Sequence, residues 1–247
     1  MKSSVSQFFY FIVILSLIGL YEFYHMALPE RKIEGVFATI SGTLFCVAIY
    51  SKDFMSLLLA LTLFILTFGL IFLLRIEEIK SSAGEVAILF LGVVYVPFLL
   101  THLALLREVT YGVQWIFLLL IIVMSGDTAA YYAGRTLGKR KLYPKVSPNK
   151  TIEGSLGGLV GSLAGVFIAR ATFFPQLSLA DSIVLPLLLG VLGQLGDLFE
   201  SMLKRSFGVK DSGTIVPGHG GILDRLDSIL FAAPAAFLYV HYVLPLG

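Results

Sequence analysis

Long apolar runs separated by short polar segments dominate the chain. Eight runs contain few or no charged residues, and they lie at residues 8–28, 34–51, 54–74, 86–106, 112–134, 155–175, 181–203 and 228–245. About 20 apolar residues suffice to cross the roughly 30 Å hydrocarbon core of a bilayer as a helix. Since lipid offers no hydrogen bonds to the backbone, each run is predicted to be an α-helix. The second run is the weakest because it is short and contains Ser and Thr.

The composition agrees with this pattern. Hydrophobic residues make up 57% of the chain and charged residues 14%, with a mean hydropathy of +0.90, whereas soluble domains are about half apolar and a quarter charged. The predicted fold class is therefore all-α: a polytopic integral membrane protein with about eight transmembrane helices. The single cysteine, Cys46, lies in an apolar run, so an intramolecular disulfide is excluded and a buried small hydrophobe is expected. No nucleic-acid partner is expected.

Lysines and arginines are distributed unequally between the two sides that eight spans define. Those on the side of both termini are Lys2, Lys52, Arg107 and Arg170. The other fourteen of the 18 fall on the opposite side. Because short cytoplasmic loops carry an excess of Lys and Arg, that side is predicted to be cytoplasmic and both termini non-cytoplasmic. The polar loops at residues 135–154 and 204–227 then face the cytoplasm, where any chemistry is expected. A bacterial inner membrane is the expected location.

Two predicted spans contain an aspartate near their cytoplasmic end. Asp127 and Asp197 each follow a glycine, and they precede Arg135 and Arg205 by eight residues. Eight helical residues rise about 12 Å, so both carboxylates are expected at a similar depth. Ionisable groups within a span are costly to bury and are therefore candidates for function.

Further polar residues accompany these aspartates. Asp197, Ser201 and Lys204 have helical spacing and share one face, and so do Asp224 and Asp227 where the chain re-enters the membrane. For any single aspartate, an ion pair with a nearby Arg or Lys is an equally good explanation. Several carboxylates at one depth beside cations instead favour a site for Mg²⁺, which carboxylates and substrate phosphates hold together.

The loop 204–227 is rich in groups that bind phosphate. Its five glycines permit positive φ and close approach of backbone N–H groups to phosphate oxygens. Its cations are Lys204, Arg205, Lys210 and Arg225. His219 is a candidate phosphate donor or acid, with bracing of the loop as the equally good alternative. A nucleophile for covalent catalysis is not evident.

Glycines recur at a spacing of four in the sixth run. The pairs are Gly154/Gly158, Gly157/Gly161 and Gly161/Gly165. Small residues at this spacing let helix backbones approach closely. Packing within one chain is the favoured interpretation, and a homodimer through membrane helices is the alternative.

The segment SMLKRSFGVKDSGTIVPGHGGILDRLDS, residues 201–228, resembles the signature of phosphatidate cytidylyltransferases, also called CDP-diacylglycerol synthases. Thirteen positions match the pattern S-x-x-K-R, K-D-x-G and P-x-H-G-G-x-x-D-R-x-D. Upstream, GDTAAYYAGRTLGK and SPNKTIEG resemble two further family segments, so the resemblance covers the chain from about Ser125 onward. Asn149 and Ile152 depart from the usual lysine and tryptophan. The resemblance implies a less specific N-terminal helical region, residues 1–110, and a catalytic region, residues 111–247.

The implied reaction converts CTP and phosphatidate to CDP-diacylglycerol and pyrophosphate, with Mg²⁺ as cofactor. The lipid phosphate is the nucleophile and attacks the α-phosphorus of CTP, so the protein supplies position and charge. The implied catalytic residues are Asp197, Asp224, Lys204, Arg205, His219 and Arg225. The implied substrate-binding residues are Lys145, Ser147, Asn149, Lys150, Ser201, Lys210, Asp211, Gly220 and Gly221. The implied metal ligands are Asp197 and Asp224, with Asp127 and Asp227 beside them.

Three rival functions differ in class. A transporter would place charges near the midplane of broken helices, whereas the charges here cluster towards one face. A CTP-dependent transferase or kinase acting on a polyprenol would share the polar loops, since hydropathy does not define the acceptor. A catalytically silent scaffold is disfavoured because every carboxylate and cation of the signature is present.

Overall fold

The computed structural model describes residues 2–75, 79–215 and 220–244. The helices of its first half are α1 (Lys2–Ala27), α2 (Lys32–Tyr50), α3 (Phe54–Leu74), α4 (Ile79–Val93), a π-helical segment (Val94–Phe98) and α5 (Leu99–Glu108). The remaining elements are α6 (Gly112–Leu137), β1 (Lys141–Tyr143), β2 (Ser147–Thr151), α7 (Ile152–Thr172), α8 (Asp181–Ser206) and α9 (Leu223–Tyr242).

Within the described residues, seven helical stretches are long and apolar enough to cross a membrane. They are Ser4–Ala27, α2, α3, Ile79–Glu108, α6, α7 and α8. The predicted helical membrane fold is thereby confirmed. The eighth predicted span corresponds to α9, which is helical but is not among the seven; Asp224 lies in its first turn and His241 in its last. Which side each terminus faces stays a prediction, because it depends on the number of spans.

One short sheet departs from the all-helical prediction. Strands β1 and β2 pair antiparallel inside the predicted loop 135–154, with Lys141 opposite Thr151 and Tyr143 opposite Ser147. Thr151 then caps α7, since its side-chain oxygen accepts from the Gly154 N–H at 3.1 Å. The hairpin therefore leads directly into a membrane helix.

The chain divides into two units. The first unit comprises Met1–Ala104 and Asp211–Arg225, and the second comprises Leu105–Lys210 and Leu226–Gly247. Each unit thus combines a continuous stretch with a segment from the C-terminal part of the chain.

In the first unit, aromatic and charged side chains join the helices. The Tyr24 hydroxyl donates to the Leu89 carbonyl at 2.7 Å, and a Cβ on Gly92 would lie 2.6 Å from that ring. Arg31, which is buried, pairs with Glu85 at 2.9 Å. Glu34, also buried, pairs with the Arg75 guanidinium at 3.1 Å. The first unit is therefore held together by specific polar contacts as well as by apolar packing.

Helix α3 meets its neighbours along a narrow stripe. Phe64, Phe68 and Phe72 are buried, and they recur at the four-residue spacing of one helix face. Most of its other large apolar side chains are exposed. Such a surface suits contact with lipid tails.

In the second unit, small residues bring α6 and α7 together. A Cβ on Gly161 would lie 2.7 Å from the Ser125 carbonyl oxygen and would overlap the Ala129 methyl group. The Ser162 hydroxyl donates to the Ile122 carbonyl at 2.8 Å across the same interface. The glycine spacing thus serves packing within one chain, as the favoured interpretation expects.

Candidate active site

Three predicted metal-binding aspartates lie near one another in the second unit. Asp127 on α6 and Asp227 on α9 both interact electrostatically with Asp197 on α8. Lys150, at the end of the hairpin, places its Nζ 2.5 Å from Asp197 Oδ2. Both side chains of this ion pair are about 30% exposed (28% and 30%). Asp127 and Asp197, for which the sequence predicts a similar depth, are therefore neighbours, and a lysine accompanies them.

Small residues let the helices approach at this cluster. A Cβ on Gly196 would lie 2.5 Å from the Asp227 carbonyl oxygen, so α8 and α9 come close beside Asp197. A Cβ on Gly126 would lie 2.6 Å from the Ser162 hydroxyl, so α6 meets α7 beside Asp127. The glycine in each Gly-Asp pair thus permits the close helix contact next to the aspartate.

A polar pair fixes α7 against α8 one turn before Asp197. Gln194 Nε2 donates to the Ser155 carbonyl at 3.0 Å, and the Ser155 hydroxyl donates to Gln194 Oε1. The Ser201 hydroxyl, one turn after Asp197, points back to Asp197 Oδ1 at 3.4 Å. The predicted common face of Asp197 and Ser201 is therefore present.

Lys204 is held by a carboxylate that sequence reasoning missed. Its Nζ lies 3.2 Å from Oε1 of Glu200, one turn earlier on α8. Glu200 is 1% exposed and Lys204 9%, so the pair is buried. Lys204 also interacts electrostatically with Asp227. The i, i+4 spacing of Glu200 and Lys204 was the only signal in the sequence that could have indicated this pair.

The other predicted substrate-binding residues of the second unit lie nearer the surface. Lys145 and Asn149 on the hairpin are exposed, and Ser147 is half-buried. Arg205, a predicted catalytic residue, is exposed in the last turn of α8, where it donates to the Val209 carbonyl at 3.1 Å. Lys210 is exposed after the end of α8. Of the hairpin residues, Lys150 has the ion pair with the aspartate cluster.

Asp224 belongs to the first unit and has a different environment. Its Oδ2 accepts from the backbone N–H of Gly221 at 2.7 Å and of Ser212 at 2.9 Å. The Ser212 hydroxyl lies 3.0 Å from the same oxygen. Gly220 has a φ of +82°, and a Cβ there would overlap that oxygen. Oδ2 of Asp224 therefore closes the turn that begins α9. Asp211 and Arg225, also predicted site residues, are exposed in this unit.

A second carboxylate, Glu22 of α1, reaches the same turn and was not among the predicted site residues. It is 3% exposed. Its two oxygens accept from the Ile222 N–H at 2.9 Å and the Leu223 N–H at 3.0 Å. Oε2 also lies 3.2 Å from the Ser212 hydroxyl. Nothing in the local sequence of α1 indicated this contact, because it joins positions 190 to 201 residues apart.

The predicted catalytic residue His219 lies outside the described residues, as do Pro217 and Gly218 of the signature. The role assigned to His219 stays a prediction. Two of the loop glycines, Gly208 and Gly220, have positive φ as the loop chemistry requires.

The aspartate cluster of the second unit fits Mg²⁺ only as a partial ligand set. Carboxylate oxygens are ligands that Mg²⁺ prefers. Yet among the residues that the structure describes, no group of three His, Cys, Asp or Glu side chains has the geometry of a complete metal site. Mg²⁺ commonly binds through one or two carboxylates and completes its shell with water and substrate phosphates. The donor set is compatible with that mode.

Comparison with known proteins gives a consistent family assignment. A model described as the cytidylyltransferase family matches residues 3–243. A phosphatidate cytidylyltransferase of Staphylococcus haemolyticus is 36% identical over 225 residues, which cover 91% of this chain and 86% of that protein. The enzyme of the same name from Bacillus subtilis is 45% identical over 156 residues, 63% of this chain. A third, from Staphylococcus aureus strain COL, is 39% identical over 179 residues, 72% of this chain. The aligned segments span 57% and 65% of the Bacillus subtilis and Staphylococcus aureus proteins, less than two thirds of each.

Proposed function

Because the chain belongs to the cytidylyltransferase family, we propose that it transfers the cytidylyl group of CTP to phosphatidate in phospholipid synthesis. An oxygen of the lipid phosphate forms a bond to the α-phosphorus of CTP. The bond from the α-phosphorus to the bridging oxygen breaks, and pyrophosphate leaves with that oxygen. The products are CDP-diacylglycerol and pyrophosphate, and no covalent enzyme intermediate is needed.

The observation that carries the proposal is the charge arrangement of the second unit. Asp127, Asp197 and Asp227 interact electrostatically with one another, and Lys150 and Lys204 are their cationic neighbours. Phosphoryl-type transfer depends on positioning and on stabilising charge that develops in the transition state. Two fixed lysines beside carboxylates supply such groups.

Each lysine has a defined part in this mechanism. Glu200 holds Lys204 on α8 in a buried pair, so that the ammonium group is oriented before substrate arrives. Lys150 neutralises Asp197 and keeps the anionic cluster from repelling CTP. Arg205 and Lys210, which are exposed, would contact the outer phosphates of CTP.

Magnesium is proposed as the cofactor, with Asp197 as a ligand and Asp127 and Asp227 beside it. When bound, Mg²⁺ would neutralise the phosphate oxygens of CTP and polarise the α-phosphorus. The signature implies Asp224 as a further ligand, and this role stays a prediction. In the structure, Asp224 Oδ2 accepts hydrogen bonds from the backbone N–H groups of Ser212 and Gly221.

The proposed location follows from the distribution of charge. The aspartate cluster is proposed to face the cytoplasm across a bacterial inner membrane, where CTP is available, while phosphatidate arrives within the lipid layer. The excess of basic residues in the loops on that side supports this orientation. A homodimer remains the alternative proposal, and it would form through helix surfaces outside the α6–α7 contact.

The test is transfer of label from CTP, radiolabelled at its α-phosphate, to phosphatidate by the purified protein in detergent. The expected result is a labelled lipid that forms with Mg²⁺ and is lost with EDTA. If the label stays in the aqueous phase, the proposal is wrong. Label from the γ-phosphate of CTP that enters a polyprenol would instead indicate a kinase, and two negative results would favour the transporter.

A further inference from the structure

A buried carboxylate on the first helix contacts the segment that carries Asp224. Glu22 of α1 accepts the N–H groups of Ile222 and Leu223, the last residue before α9 and the first residue within it. Unpaired N–H groups at a helix start need acceptors, and a carboxylate satisfies them with favourable charge. Glu22 therefore fixes the position at which α9 begins.

Ser212 connects this carboxylate to Asp224. Its hydroxyl lies 3.2 Å from Glu22 Oε2 and 3.0 Å from Asp224 Oδ2, and its backbone N–H donates to Asp224 at 2.9 Å. Ser212 is 4% exposed. One hydroxyl proton serves two carboxylate oxygens, so the positions of Glu22 and Asp224 depend on each other through Ser212.

Two glycines of the segment lie so close to the same carboxylate that there is no room for a side chain at either position. A Cβ on Gly213 would lie 2.7 Å from Glu22 Oε1, and a Cβ on Gly221 would overlap Oε2. Among the glycines that the structure describes, those with positive φ are Gly208 and Gly220, so neither Gly213 nor Gly221 is one of them. Gly213 is thus explained by the space that Glu22 occupies, and Gly221 by the space that Glu22 and the Ser212 hydroxyl occupy together.

We infer that Glu22 is a positioning residue for Asp224, acting through Ser212 and the backbone of residues 221–223. The inference rests on the proposed function, in which Asp224 takes part in cytidylyl transfer. Glu22 itself needs no contact with substrate. Its carboxylate holds the turn in which Asp224 accepts hydrogen bonds, and a loosened turn would misplace Asp224.

The test uses Glu22→Gln in the purified full chain. A glutamine amide has only one acceptor oxygen, whereas the two oxygens of Glu22 accept from two N–H groups. The NH₂ group of the amide would therefore face one of these N–H donors. The matched control is Glu34→Gln, which removes another buried carboxylate of the first unit from an ion pair with Arg75. The readouts are kcat and KM for both substrates, the melting temperature, and hydrogen exchange of peptides that cover residues 220–230.

For Glu22→Gln we expect a fall of about 10- to 100-fold in kcat, the size of effect that a misplacement of about 1 Å produces. The KM for phosphatidate should stay within about twofold, since Glu22 needs no contact with substrate, and hydrogen exchange at residues 220–230 should accelerate. Glu34→Gln should lower the melting temperature and leave kcat per folded molecule unchanged. If Glu22→Gln behaves like this control, the role is only structural and the inference is overturned.

Ser212→Ala provides a second, milder variant in case Glu22→Gln does not fold. It should lower kcat several-fold, and the double variant should be little worse than Glu22→Gln alone, because both act along one path. An unchanged kcat for Ser212→Ala, or fold effects that multiply in the double variant, would overturn the inference. A wild-type protein that forms no labelled lipid would overturn the proposed function, and with it this inference. Active wild type with unaffected variants would overturn this inference alone.

Discussion

Replacing Lys150 by methionine tests the charge balance of the aspartate cluster most directly. The substitution keeps an unbranched side chain, one atom shorter, and removes the charge, which lies 2.5 Å from Asp197 Oδ2. The cluster of Asp127, Asp197 and Asp227 is then more negative. A more negative cluster binds a divalent cation more tightly, whereas loss of a metal ligand weakens binding. The sign of the change therefore separates a countercharge from a ligand.

The magnitude follows from exposure. A pair of unit charges at about 4 Å interacts by about 1 kcal/mol in water and about 4 kcal/mol at an effective dielectric constant near 20. Lys150 and Asp197 are 28% and 30% exposed, which places their interaction between these limits. We take about 1 to 2 kcal/mol, which corresponds to roughly a 5- to 30-fold change in affinity.

The assay is a Mg²⁺ titration of labelled-lipid formation at low ionic strength. For Lys150→Met the half-saturating Mg²⁺ concentration should fall about 5- to 30-fold, and kcat should fall as well because the lysine no longer stabilises the reacting phosphates. The matched control is Lys141→Met, which removes the same charge from an exposed position on β1 of the hairpin. A half-saturating concentration that stays constant or rises in Lys150→Met would refute the countercharge role. Added salt should shrink the effect, since it screens partly exposed charges.

Two further substitutions test the packing that supports the site. Glu200→Gln removes the buried ion pair with Lys204, so unfolding should become easier by about 3 kcal/mol, and the KM for CTP should rise; an unchanged melting temperature in detergent would contradict this. Gly161→Ala places a methyl group against Ala129. Such overpacking should lower the free energy of unfolding by about 1 to 3 kcal/mol. Its control, Gly69→Ala on α3, meets nothing within 4 Å and should be neutral or slightly stabilising; equal melting curves for the two would argue against a tight α6–α7 contact.

The transmembrane helices could be predicted from the sequence because each one is defined locally. A run of about 20 apolar residues has one stable outcome in lipid, whatever its neighbours. The hairpin at residues 141–151 had no comparable signal. Its strands are three and five residues long, too short for an alternating pattern to be distinguished from a loop. Its last residues, Lys150 and Thr151, nevertheless place a cation beside Asp197 and a cap on α7.

The similar depth of Asp127 and Asp197 could be predicted for a related reason, whereas the partner of Lys204 could not. Equal spacing of Asp127 and Asp197 from an arginine fixes their depth, because the rise per helical residue is constant. Depth alone does not identify which charges become partners. The aspartate of α8 pairs with the hairpin lysine, while Lys204 pairs with Glu200 on its own helix. Such choices depend on the rotation of each helix, which hydropathy leaves undetermined.

The role of Glu22 could not be predicted from residue types, although two glycines that it requires, Gly213 and Gly221, are visible in the sequence. The sequence alone indicates that the loop glycines bring backbone N–H groups close to phosphate. For Gly208 and Gly220 a positive φ agrees with that need for backbone freedom. For Gly213 and Gly221 the cause is different, since a side chain there would collide with a carboxylate from α1 and, at Gly221, also with the Ser212 hydroxyl. Absence of a side chain looks the same in a sequence whether a substrate or the protein itself fills the space. A glycine-rich motif therefore reports that something approaches the backbone closely, and only the fold identifies what it is.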